Sequence, residues 1–263
     1  NMQETLWLPA DWQAPSGIIA GTSLSNSPLC TQGFNLARHV QDQPERVERH
    51  RQKLARHSGL EAQRWLWLNQ IHSNIVVSDE NYQTDIDADA VISRSPDAVA
   101  VVMTADCLPI LLCNAAGTEV AAIHAGWSGL YTDIIRNTIM QFHSPAQQCY
   151  AWIGPCATQA RYEVDEAFYA RFIEKNPDFV TYFRANREGH YLADLPAIAR
   201  HQLSEQGIAA ENISGGELCS IGDARFFSYR RDAGSAGRMA SLIAPIKSSS
   251  KTSYDLIIQK TFQ

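Results

Sequence analysis

Between Trp65 and His124 the chain runs through six short apolar segments: WLWLN (65–69), NIVVS (74–78), ADAVIS (88–93), AVAVVMT (98–104), PILLC (109–113) and TEVAAIH (118–124). Each is shorter than an ordinary helix, and several are apolar without alternation, the pattern of strands covered on both faces. Such a series requires a sheet system sealed by further layers. Asn114-Ala-Ala-Gly117 between two of the segments reads as a hairpin turn.

Helical patterns flank the series. Residues 43–57 (QPERVERHRQKLARH) carry Pro44 in the first turn, behind Asp42 or Gln43 as a cap. Residues 131–142, 164–175 and 194–207 repeat apolar positions at helical spacing, the last ending at Gly207, a suitable C-terminal cap. Further strands are predicted at 149–154, 224–231 and 238–244. Clustered strands without strict βαβα alternation predict an α+β (α/β layered) fold, with mixed β-sheets packed by outer helices.

Composition narrows the function. Hydrophobic residues at 45% and charged residues at 19% fit a globular chain, and a net charge of −6 without a long basic run argues against nucleic acid as a partner. No apolar stretch reaches the roughly 18 residues of a membrane span. NMQETLWLPADW has neither a basic nor an apolar signal region, and the six cysteines show no pairing rhythm, so a reduced, cytoplasmic protein is expected. One catalytic domain is predicted over 1–246, followed by a serine-rich tail (247–263) without assigned role.

Three of the apolar segments have a metal-binding residue at or near an end: His72 in NQIHS, Cys107 in MTADCLP and His124 in AAIHAGW. Side chains at sheet ends can converge, and two imidazoles with one thiol suit zinc while leaving a fourth position open, as catalytic sites do. Taken singly, each reads as an ordinary buried cysteine or loop histidine, and the spacings of 35 and 17 residues match no zinc-finger pattern. Asp106 and Pro109 suggest a tight turn holding the thiol at a strand end. Gly126-Trp127-Ser128-Gly129 permits close backbone approach. Cys107 with His124 equally suits a cysteine hydrolase, where the imidazole raises the thiolate fraction. Chelators would inhibit the first kind of enzyme, and alkylating reagents alone the second.

These motifs resemble the YfiH/YlmD family, relatives of the laccase domain-containing protein FAMIN. The likeness runs from FNLARHVQDQPERVERHRQKL (34–54) through TADCLP and HAGW to FFSYRRDAGSAGRMASLI (226–243). It implies His72, Cys107 and His124 as zinc ligands and a fold similar to the cytotoxic necrotizing factor hydrolases. It further implies phosphorolysis of adenosine, inosine and methylthioadenosine, and adenosine deamination, with nucleoside and phosphate as partners. Peptidoglycan-editing amidase chemistry is a second reading, and laccase-like polyphenol oxidation with copper a third. A non-enzymatic metal-binding partner protein is a fourth, which the open coordination position disfavours. Eight histidines with no His-x-His argue against a multicopper cluster, leaving copper as a possible substitute for zinc.

Candidate roles follow for other positions. Asp106 is a proton carrier; Gln70, Asn35, Trp127, Arg230 and Arg231 are substrate-binding candidates, with Phe226 and Phe227 as further stacking surfaces. Two departures from the family pattern each remove an arginine near the expected site: GTSLSNSPLCTQG in place of Thr-Arg-x-Gly-Gly, and Ser128 in place of arginine. Arg230 and Arg231 are the residues left to clamp phosphate.

Overall fold

The computed structural model describes residues 5–26, 33–61 and 63–246. The tail after 246 and the segment holding Cys30 lie outside the described residues. A five-stranded sheet contains β1 (Trp7–Pro9), β2 (Ile18–Ser23), β3 (Arg64–Leu66), β6 (Ala98–Thr104) and β14 (Met239–Pro245), in the order β1-β2-β14-β6-β3. A six-stranded sheet contains β4 (Val76–Ser78), β5 (Ala90–Ser93), β7 (Leu108–Asn114), β8 (Val120–Ala125), β9 (Cys149–Ile153) and β13 (Ile213–Gly215), in the order β13-β9-β7-β8-β5-β4. A small third sheet pairs β10 (Glu163–Asp165), β12 (His190–Ala193) and β11 (Phe183–Ala185). Both large sheets are mixed: β3 with β6, β4 with β5, and β13 with β9 run parallel, and the other pairs antiparallel.

The two large sheets pack face to face, which explains the unbroken apolar runs. In β6, Ala98, Ala100 and Val102 face the other sheet, whereas Val99 and Val101 face the opposite way, toward Leu54 and Leu60. In β7, Leu111 and Cys113 face the five-stranded sheet, whereas Leu108, Ile110 and Leu112 face the helices. Every residue of these strands is therefore buried, and each fully buried Val, Leu or Ile contributes roughly 1.5–3 kcal/mol. The layered α+β architecture matches the expectation.

The first helix, α1 (Pro44–Ser58), covers the five-stranded sheet; Gly59 ends it at φ 74°, donating to the Ala55 and Arg56 carbonyls. Neither proposed cap acts as one: Gln43 occupies the N-cap without a side-chain bond, and the Asp42 carboxylate accepts from the Gln43 N–H (2.7 Å) and from Asn35 Nδ2 (3.1 Å). The other face carries α2 (Trp127–Tyr131), α3 (Ile134–Gln141), α4 (Glu166–Lys175) and α5 (Leu195–Glu205). The helix predicted from 131 starts later because Asp133 takes φ 70° between α2 and α3. The helix predicted from 164 starts at 166, where Asp165 caps it through the Phe168 N–H.

The predicted strand at 224–231 is absent. Phe226 and Phe227 are instead driven into a small core with Leu24, Ala105 and Met239. Ser228 then caps a short helix, α6 (Tyr229–Asp232), accepting from the Arg231 N–H at 3.1 Å. Among the described residues, no helix is long and apolar enough to cross a membrane.

Candidate metal centre

The centre lies where the chain passes from one large sheet to the other. After Thr104, residues 105–107 cross from β6 to β7, with Asp106 at φ 94°. Its buried carboxylate accepts from Ser220 Oγ (2.6 Å), Ser228 Oγ (3.0 Å) and the Arg230 N–H (2.7 Å), and its carbonyl from the Ala157 N–H (2.8 Å). This anchored turn delivers Cys107 to the start of β7. On the paired strand, His124 stands opposite Pro109, so Cys107, two residues earlier, lies diagonal to it on the same face. His72 arrives on the loop before β4 at φ 58°. The donor atoms of His72, Cys107 and His124 lie within 4.8 Å of one another. The two imidazoles meet edge to face with centroids 4.8 Å apart.

Asp89, just before β5, organises both histidines. Its Oδ1 accepts from His124 Nδ1 (2.8 Å) and the His72 N–H (3.1 Å). Its Oδ2 accepts from Ser73 N–H (2.7 Å), Ser73 Oγ (2.5 Å) and Ile71 N–H (3.3 Å). Occupying Nδ1 leaves Nε2 of His124 as its metal donor. Burial pushes the Asp89 carboxyl up, but the bonds from His124 and Ser73 outweigh it and hold the group below its ordinary value. Burial likewise pulls His124 down, yet Cys107 and Asp89 push it up to about 9. A metal bound through this imidazole would have to displace its proton. Burial and then His124 lower the pKa of His72. The two nitrogens and one sulfur, preset on a carboxylate, fit zinc.

The site forms the floor of a cavity of about 390 Å³. Gly126 is shaped by this floor: a Cβ there would stand 2.9 Å from Cys107 Sγ and 3.4 Å from His72 Nδ1. Ser128 Oγ donates to the His72 carbonyl at 3.1 Å. Gln70 lines the cavity and binds both the N–H and the carbonyl of Met103 at 2.7 Å, fastening the His72 loop to β6. Thr104 Oγ1, also on the lining, is buried without a hydrogen-bond partner among the described residues.

The remaining sequence candidates divide. Trp127 lines the cavity, 38% exposed, with Phe168 at its edge. Arg230 lines it as well, its guanidinium 4.1 Å over the Tyr162 ring and bonded to the Glu163 carbonyl at 2.9 Å. Asp106 lines it, but with its carboxylate turned to the serines. Arg231 points elsewhere, donating to the carbonyls of Ser220, Ile221 and Phe226. Phe226 and Phe227 are core residues. Asn35 is fully buried and does not line the cavity; its Oδ1 accepts from the Ala37 and Arg238 N–H groups. Asp232 accepts from Arg231 at 3.0 Å.

Sequence reasoning missed Asp89, Arg238, Tyr162, Tyr229 and His39; the last four all line the cavity. Asp89 was detectable as a carboxylate opening an otherwise apolar strand. Arg238 is half-buried, its Nη1 held by the carbonyls of Ala236 and Gly237 at 3.0 Å, and it brings a second cation to the cavity that Arg230 lines. Only the sequence pair Gly237-Arg238 hinted at it: a Cβ on Gly237 would meet the Phe227 ring at 2.9 Å.

Residues 20–245 match the family described as multi-copper polyphenol oxidoreductase laccase. The chain is 37% identical over 249 residues to a Xylella fastidiosa (strain Temecula1) protein named purine nucleoside phosphorylase, covering 89% of this chain and 95% of that one. It is 38% identical over 242 residues to the Escherichia coli (strain K12) purine nucleoside phosphorylase YfiH, covering 88% and 96%. A Neisseria meningitidis crystal structure superposes with a TM-score of 0.85 at 39% identity, over 92% of this chain and 99% of that one. YlmD from Geobacillus stearothermophilus, at 24% identity and a TM-score of 0.83 over 94% and 98%, shares the fold. With a family match over residues 20–245 and relatives of nearly its own length, the chain belongs to the YfiH/YlmD family of laccase-like domain proteins.

Proposed function

We propose that this chain is a zinc-dependent purine nucleoside enzyme that splits nucleosides with phosphate. The observation that carries this reading is the presence of Arg230 and Arg238 in the same cavity as the three donor atoms. The names of its relatives point the same way. Zinc held by His72, Cys107 and His124 would supply a Lewis acid with one coordination position open.

The chain's own residues account for the rest. Arg230 and Arg238 offer charge-assisted donors to phosphate, replacing the arginines absent before Asn35 and at 128. Tyr162, Trp127 and Tyr229 present aromatic faces for the purine. Phosphate oxygen then bonds to C1′ as the bond to the base breaks, and the cationic sugar is stabilised electrostatically. Adenosine deamination, with water adding at C6 and ammonia leaving, would share the cavity. Asp106 serves as the anchor of Cys107 and of the Arg230 backbone, since its carboxylate is already engaged by three donors.

Among the described residues one His-Cys-His group is arranged to hold a metal, which favours a mononuclear site over a copper cluster. Copper in that same site is the basis for any polyphenol oxidation. A cavity of about 390 Å³ suits a nucleoside better than the nucleotide-linked peptide that an editing amidase must accommodate. Metal-analysed protein incubated with adenosine or inosine, with and without phosphate, tests the reading through base release and inosine formation. Phosphate-dependent base release that Cys107→Ala abolishes together with zinc is the expected result. No product from protein carrying stoichiometric zinc would overturn it. Activity that resists chelators but not alkylation would assign the pair Cys107 and His124 to thiol catalysis instead.

A further inference from the structure

Two cysteines outside the metal centre stand against each other below it. Cys156 and Cys219 are direct partners in a parallel bridge, with the Cys156 N–H donating to the Leu218 carbonyl (3.1 Å) and the Ser220 N–H to the Cys156 carbonyl (2.9 Å). Opposed residues of a ladder project to the same face, at backbone separations within the range a disulfide spans. Both thiols are free, and they differ in character. Cys156 is fully buried, and burial raises its thiol well above the ordinary value. Cys219 is half-buried; burial pushes it up, but the Thr158 hydroxyl and the N–H groups of Thr158, Gly222 and Ile221 outweigh this and lower it. Cys113 and Cys149, by contrast, are buried and pushed up to about 12 and about 11.

We propose that Cys156 and Cys219 form an oxidisable dithiol, in which Cys219 is the sulfur that attacks peroxide and Cys156 resolves it to a disulfide. The Cys219 thiolate bonds to one oxygen of hydrogen peroxide, the O–O bond breaks, and the other oxygen leaves as hydroxide, which takes up the proton that the thiol released to solvent and becomes water, giving a sulfenic acid. Cys156 sulfur then bonds to Cys219 sulfur, the S–O bond breaks, and hydroxide takes the Cys156 proton to leave as a second water. The two sulfurs lose two electrons and the peroxide gains them. The buried resolving thiol is thereby reached through its neighbour and not from solvent.

The pair is mechanically tied to the metal centre. Ala157, next to Cys156, donates its N–H to the Asp106 carbonyl, and Ser220, next to Cys219, donates its hydroxyl to Asp106 Oδ1. Drawing the two strands together pulls on both grips of the turn that presents Cys107.

The test uses the full zinc-loaded chain, titrated with hydrogen peroxide, alkylated and mapped by mass spectrometry without reduction. A Cys156–Cys219 linkage is expected at peroxide levels that leave Cys113 and Cys149 as free thiols, and dithiothreitol should reverse it. Cys219→Ala should abolish the linkage, and Cys156→Ala should leave a diketone-trappable sulfenic acid on Cys219. Oxidation should also change the rate of zinc release to a chromogenic chelator about threefold or more in the parent chain and not in Cys219→Ala. A linkage through Cys107 or Cys30, or oxidation that bypasses Cys219, would overturn the proposal; unchanged zinc release would overturn its coupling to the centre. The mapping reads no enzymatic activity, so it stands apart from the nucleoside reading.

Discussion

Asp89 Oδ1 lies 2.8 Å from His124 Nδ1 and accepts the backbone N–H of His72 from the same oxygen. One buried carboxylate thus fixes the ring of one histidine and the loop of the other. In Asp89→Asn one oxygen becomes an amide nitrogen, which must face either His124 or the donors of the 71–73 loop. Groups that orient metal ligands typically contribute 10–100-fold to affinity. Chelator competition should find zinc bound about 10–100-fold more weakly by the variant. A change below about threefold would remove Asp89 from this role.

The phosphate contacts proposed for Arg230 and Arg238 can be tested separately. Arg238 bonds carbonyls through its Nη1 and lies 5.8 Å over the Tyr229 ring, whereas Arg230 is stacked more closely, 4.1 Å over Tyr162. A hydrogen bond to a charged group is worth roughly 1.5–3 kcal/mol, or about 10–100-fold. Arg238→Met should raise the KM for phosphate by about that factor and leave the nucleoside KM within about threefold. Steady-state rates at varied phosphate decide it; parallel rises in both constants would mean that the cavity itself had collapsed.

The layers were legible in the sequence because the runs at 88–93, 98–104, 109–113 and 118–124 carry apolar residues on both faces, a pattern only a sandwiched sheet requires. β1, β10, β11 and β13 were not, since a three-residue strand is too short to show a period. The FFSY segment deceived for a physical reason: two adjacent aromatics read as a strand, but both enter one core while Ser228 starts a helix. The cluster of His72, Cys107 and His124 was visible through residue type at segment ends and the family likeness. Asp89 as a carboxylate opening an apolar run, and Arg238 beside Gly237, were only hints in the sequence, because their parts depend on tertiary partners, the 71–73 loop for one and the Asn35 side chain for the other.

Acid sensitivity should arise at the far end of the hairpin that carries Cys107 and His124. Glu119, buried beside the β7–β8 turn, accepts from Arg94 Nε (2.7 Å) and from the N–H groups of His143 (2.8 Å) and Ser144 (3.0 Å). Burial pushes its carboxyl up, but the N–H groups of His143 and Ser144, with the Ser144 hydroxyl and Arg94, outweigh this and lower it from the ordinary 4.5. A group whose folded pKa is depressed stabilises above its unfolded value and loses that contribution as pH falls through the folded one. Glu119→Gln should therefore be less stable than the parent at pH 7, by roughly 1.5–3 kcal/mol. The gap should narrow as pH drops below about 4.5. Urea unfolding of both proteins across that range measures it, and a gap independent of pH would contradict the assignment.

Gly126 separates metal binding from folding. Its φ of −80° and ψ of −176° are open to alanine, so substitution brings no backbone strain. The only obstacle is the centre, where the new methyl would stand 2.9 Å from Cys107 Sγ and 3.4 Å from His72 Nδ1. Cys107 is held by the anchored turn, and His72 by the N–H groups that Asp89 gathers, so the two donors must part for the methyl to fit. Gly126→Ala should lose about tenfold or more in zinc affinity, as displacing a ligand from its set geometry does. Its apo form should unfold within about 1–2 kcal/mol of the parent, the range of a modest overpacking. Zinc stoichiometry after dialysis, measured beside the unfolding curve of the metal-free protein, reads both quantities. Parent-like zinc affinity would show that the donors close on the metal elsewhere than over Gly126.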